Sequence, residues 1–168
     1  MASHRVLVAD PISEHGVTLL NDHPEISADF IPDLGSRPEK LMEIIGDYDA
    51  LIVRSQTKPN AEVIAHGSRL RAIGRAGVGV DNIDREAASA HGVIVMNTPT
   101  GNTISTAEHA FALMLATARN IAPAHAGVLD GDFKSSRKAF SGIEMNGKRL
   151  AVIGMGRIGS EFVKRAQG

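Results

Sequence analysis

Three stretches of this chain hold backbone or side-chain groups suited to binding anions. Gly154-Met155-Gly156-Arg157-Ile158-Gly159 has the spacing G-x-G-x-x-G directly after the apolar run Leu150 to Ile153. In that pattern the first glycine permits a tight strand-to-helix turn, the second lets backbone approach a pyrophosphate, and the third lets the helix pack closely on the strand. The helix start then offers unpaired N–H groups and the positive end of its dipole. An ordinary strand-to-helix turn is the alternative, because the chain holds 17 glycines. The acidic residue expected roughly 20 residues further on, which would hold the adenosine ribose, falls beyond Gly168.

Arg54-Ser55 ends the apolar run 50–53. The arginine offers a planar fork to a carboxylate or phosphate and the serine adds a hydroxyl. A solvated strand-end arginine, or a pair with Asp10, remains open. Gly77-Val78-Gly79 can present successive N–H groups to a carboxylate, or can be a turn that merely tolerates glycine. The seven histidines form no set: His109 adjoins a helix start, His125 falls in a polar connecting segment, and none has metal-ligand spacing, so no metal site is expected. Nor does the glycine turn carry the lysine and hydroxyl pair of a P-loop.

The elements that must position these groups alternate between short apolar runs and helical patterns, the signature of successive βα units. Strands are predicted over 6–9, 26–31, 50–53, 70–74, 93–96 and 149–153, and helices near 13–21, 38–45, 61–65, 85–91 and 157–167. Ser13 and Ser36 stand where they would cap the first two helices, and His91-Gly92 stops the fourth. The expectation for 1–98 is an α/β, flavodoxin-like, doubly wound parallel sheet serving as substrate-binding domain. Residues 99–168 would begin a Rossmann dinucleotide-binding domain. Pro99 and Gly101 mark the break. Ser105 and Glu108 have capping-box spacing for a helix running to about Asn120. Its body, 110–116, is apolar on all sides and calls for cover all round, either between domains or subunits or as a core helix.

Composition is that of a globular domain, 43% hydrophobic and 22% charged. With 18 basic and 19 acidic residues, net charge −1, there is no broad footprint for nucleic acid or anionic membrane. The absence of cysteine excludes disulfides and cysteine-based zinc sites. Met1 to Arg5 leads into an apolar run shorter than a signal peptide requires, and 110–116 is too short to span a bilayer, so a cytoplasmic location is expected.

Taken together, Leu51-Ile-Val-Arg54-Ser55, Gly74-Arg-Ala-Gly-Val-Gly-Val-Asp-Asn82, Met96-Asn-Thr-Pro99, Gly101-Asn-Thr-Ile-Ser-Thr-Ala-Glu-His109 and Val152-Ile-Gly-Met-Gly-Arg-Ile-Gly159 resemble the D-isomer-specific 2-hydroxyacid dehydrogenases, the 101–109 stretch in particular the phosphoglycerate branch. The resemblance implies oxidation of 3-phospho-D-glycerate to 3-phosphohydroxypyruvate with NAD, the entry step of serine biosynthesis. It also implies two α/β domains about a cleft and a homodimer. Carried across, Arg54, Ser55 and Asn102 look like substrate contacts and the backbone of Gly77, Val78 and Gly79 like the carboxylate cradle. Val78 also matches the loop reaching the nicotinamide end of the cofactor. Gly154, Gly156, Arg157, Ile158 and Gly159 match the pyrophosphate turn. The family's catalytic arginine and its histidine–glutamate pair match positions downstream of Gly168, so this chain is expected to be an N-terminal part, inactive alone. The alternatives are a dehydrogenase for another D-2-hydroxy acid and a non-catalytic, nucleotide-sensing protein of the same superfamily. The choice between NAD and NADP stays open.

Overall fold

The computed structural model describes residues 3–167. Met1, Ala2 and Gly168, which the sequence places at the outer ends of the two expected domains, lie outside the described residues. The chain divides into two compact units, the first ending at Gly101 and the second beginning at Asn102. Among the described residues no helix is long and apolar enough to cross a membrane.

The first unit is a five-stranded parallel sheet in the order β2-β1-β3-β4-β5, the flavodoxin-like order expected from the sequence. Its strands are β1 (His4–Val8), β2 (Ile26–Phe30), β3 (Ala50–Val53), β4 (Ala72–Arg75) and β5 (Ile94–Asn97), joined by α1 (Glu14–Asn21), α2 (Pro38–Ile44), α3 (Ala61–His66) and α4 (Arg85–Ala90). Alternation along each strand sends Leu7, Ala9, Leu51, Val53 and Ile73 into one core with Leu41, Ile45, Val63, Ile64 and Ala88. The register sets Val53 beside Arg75 and Arg75 beside Asn97, so the last residues of β3, β4 and β5 line up at one edge.

Ser13 caps α1 as expected, accepting from the Gly16 N–H at 3.3 Å. Ser36 does not cap α2. It closes a 3-10 turn over Leu34–Ser36 and donates its hydroxyl to the Asp33 carbonyl, while Arg37 takes the cap position and Pro38 starts the helix with its orphan N–H already removed.

The second unit is helical: α5 (Thr103–Ala118), α6 (Ile121–Leu129), α7 (Phe133–Ala139) and α8 (Arg157–Gln167). Two expectations, the capping box and the strand over 149–153, are corrected here. The helix of the supposed capping box starts two residues before Ser105, whose hydroxyl donates instead to the Asn102 carbonyl, and Glu108 pairs with Arg165. It ends at Ala118, before Asn120 takes left-handed φ of 52°. Of its residues only Ala107 is buried, and Ile104 and Leu113 stand about half exposed, so cover within the second unit reaches one face only. The predicted strand 149–153 is not formed: Leu150 is half exposed and Ile153 fully so. A strand is made by neighbours that exchange hydrogen bonds with it, and none pairs with this segment among the described residues.

Candidate functional site

The carboxyl edge of the first unit's sheet carries two loops joined into one body. Asp10, just past β1, is fully buried. Its carboxylate accepts from the Arg54 N–H at 2.6 Å, from the Thr57 N–H at 3.1 Å and from the Thr57 hydroxyl at 2.5 Å. Asp10 thus pins the turn after β3 through the backbone, and the sequence alternative of a side-chain pair between Arg54 and Asp10 is corrected. The guanidinium of Arg54 is exposed and meets only the Pro11 carbonyl, at 3.4 Å. Ser55 is exposed beside it.

Asn82 ties that turn to the loop after β4. Its amide donates to the carbonyls of Arg54 at 2.8 Å and Thr57 at 2.7 Å. Arg75, the last residue of β4, donates through Nε to the same Arg54 carbonyl at 3.2 Å and through Nη1 to the Gly79 carbonyl. From β5, Asn97 donates to the Val78 carbonyl at 2.6 Å and the Thr98 N–H to the Gly77 carbonyl at 3.0 Å. The Gly77 N–H is spent on Arg75, whereas the amides of Val78 and Gly79 donate to no protein acceptor among the described residues. Arg54, Ser55 and the 77–79 loop therefore stand on adjacent strand ends: an exposed cation, a hydroxyl and two N–H groups without a protein acceptor among the described residues, a donor set suited to a small carboxylic acid.

Sequence reasoning named the groups that would face a ligand and missed the four that hold them, Asp10, Arg75, Asn82 and Asn97. The available signal was positional: Asp10, Arg75 and Asn97 are polar residues ending or following three apolar strands that the same reading had already placed.

The other predicted positions belong to the second unit. Asn102 precedes α5, is exposed, and makes no side-chain hydrogen bond among the described residues. The glycine turn passes a test of fit for a dinucleotide pyrophosphate. Gly154 has φ of +101°, which L side chains rarely adopt. A Cβ on Gly156 would meet nothing within 4 Å, leaving the space a phosphate would take, while one on Gly159 would collide with the Gly154 carbonyl. Arg157 and Ile158 open α8, whose first N–H groups lack intrahelical partners. The Ser160 hydroxyl donates back to the Gly156 carbonyl at 2.9 Å. α8 is held on α5 by an edge-to-face pair of Phe111 and Phe162, centroids 5.9 Å apart, and by Arg165 to Glu108 at 2.9 Å.

The model of the D-isomer specific 2-hydroxyacid dehydrogenase catalytic domain matches residues 6–162. The D-3-phosphoglycerate dehydrogenase of Archaeoglobus fulgidus is 50% identical over 97% of this chain and 30% of its own length. The chain thus spans about 30% of that curated relative. Among solved structures, the TT0316 protein of Thermus thermophilus superposes with a TM-score of 0.87 at 31% identity, covering 97% of this chain and 52% of that one. An NAD-dependent formate dehydrogenase from Staphylococcus aureus, solved with NAD, gives 0.83 at 25% identity over 96% and 53%.

Proposed function

Because the chain belongs to the D-isomer specific 2-hydroxyacid dehydrogenases, we propose that it supplies the substrate domain and the opening of the NAD domain of an enzyme oxidising 3-phospho-D-glycerate. The observation that carries this reading is the paired loop at the strand ends, where an exposed arginine stands beside amides with no protein acceptor. The amides of Val78 and Gly79 bind the carboxylate, and Arg54, with Ser55, takes the rest of the substrate. Gly154, Gly156, Arg157, Ile158 and Gly159 hold the pyrophosphate of NAD, which when bound accepts the hydride from the carbinol carbon. The chain's own residues bind and orient. Among the described residues no histidine is paired with a carboxylate, so a base for the hydroxyl proton is not assigned to this chain, and the 168 residues alone are proposed to be inactive. We further propose a cytoplasmic location and, for the full-length protein, a homodimer, the latter supported by the exposure of Ile121, Leu129 and Phe133.

Calorimetric titration tests the substrate. The account expects 3-phospho-D-glycerate to bind about tenfold more tightly than D-glycerate, the increment of one charge-assisted phosphate contact, with no NADH formed. Equal affinities would favour another D-2-hydroxy acid, and NADH production would contradict the assignment of an inactive piece.

A further inference from the structure

All three carbonyls of the 77–79 loop are turned into the protein. Gly77 accepts from the Thr98 N–H at 3.0 Å, Val78 from the Asn97 amide at 2.6 Å, and Gly79 from the Arg75 guanidinium. Among the described residues no peptide bond is cis. In a planar trans peptide the C=O of one residue and the N–H of the next point in opposite directions. Holding a carbonyl on one side therefore aims the following amide to the other. Thr98 aims the Val78 N–H, Asn97 the Gly79 N–H and Arg75 the Val80 N–H. None of these three amides donates to a protein acceptor among the described residues.

The loop needs such a device because glycine flanks Val78 on both sides. Glycine visits both halves of φ space at little cost, so the peptide between Val78 and Gly79 is free to rotate unless something holds it. Rotated, it would present a carbonyl oxygen where the account places a carboxylate. We propose that Asn97 is a positioning residue which, by holding the Val78 carbonyl, keeps the Gly79 amide aimed at the substrate's carboxylate. This inference rests on the reading of the loop as a carboxylate site. A donor is required at position 97, and Asn97 supplies one from the last residue of β5, where it is exposed and has no part in the core.

Amide-resolved NMR of the 168-residue chain tests it, with glycolate, the simplest 2-hydroxy acid, as probe. In the wild type the Val78 and Gly79 signals both move on titration. In Asn97→Leu and Asn97→Ala, neither of which keeps a side-chain donor, the Gly79 response weakens by about fivefold, the scale of one lost hydrogen bond, while Val78, aimed by a backbone donor, still responds. Signals far from 76–80 stay in place, since an exposed substitution costs little stability. A Gly79 response unchanged in both variants would overturn the assignment. So would collapse of the spectrum in both, which would make Asn97 structural. A wild type in which neither amide responds would overturn the carboxylate site itself and this role with it. A missing preference for 3-phospho-D-glycerate over D-glycerate would leave the glycolate result standing, so failure of the substrate reading is told apart.

Discussion

Gly156 and Gly159 sit three positions apart and differ in what a side chain would meet. A methyl on Gly156 enters open space, whereas one on Gly159 strikes the Gly154 carbonyl. Gly156→Ala is therefore expected to leave the thermal midpoint nearly unchanged and to weaken NAD binding by about tenfold or more, because the methyl occupies room for a phosphate. Gly159→Ala should lower the midpoint even though alanine is favoured over glycine in helices by roughly 1 kcal/mol. Paired melting curves and NAD titrations check this, and a Gly156→Ala protein that melts early but binds normally would contradict it. The glycine turn itself was legible in the sequence, because its spacing follows an apolar run and opens a helix. The holding residues were not, since nothing local to Asp10 or Asn82 tells that their partners lie 44 and 28 positions away.

The five strands and the four helices between them were legible because short apolar runs alternate with helical patterns along 1–98. Helices α6 and α7 were missed. The sequence reading placed His125 in a polar connecting segment, whereas it lies within α6, whose first turn accommodates Pro123 because a missing N–H there costs nothing. The run 149–153 looked like a strand because apolar content signals burial without saying whether a neighbour exists to pair with. Away from the loops, β1, β2 and Tyr48, two residues before β3, are clamped together. Arg5 pairs with Asp29 at 2.8 Å, and the Tyr48 hydroxyl donates to the same carboxylate at 2.9 Å. The Arg5 hydrogen bond holds the Asp29 carboxyl below its ordinary value of 3.8, and burial together with Asp29 pushes the Tyr48 phenol up to about 12. A depressed carboxyl stabilises the fold above its unfolded value and loses that contribution as pH falls through the folded one. A raised phenol stabilises below 10.0 and loses it as pH climbs through about 12. Stability measured by denaturant against pH should therefore drop on both flanks. Asp29→Asn should flatten the acid flank below pH 3.8, and an acid flank identical in the variant would remove the clamp from the account. The effect is modest, because Arg5 and Asp29 are each over 40% exposed.

Across the full chain, a near-neutral charge gives no general attraction for anions, so affinity must come from local arrangement: free amides at a strand-end loop in one unit and a helix-opening turn in the other. The most direct check is an amide-by-amide NMR map of the 168-residue chain titrated separately with 3-phospho-D-glycerate and with NAD. The account predicts that the acid moves Ser55, Val78 and Gly79, and that NAD moves Gly156, Arg157 and Ile158. Acid-induced shifts confined to other residues, with Val78 and Gly79 unmoved at saturation, would contradict it.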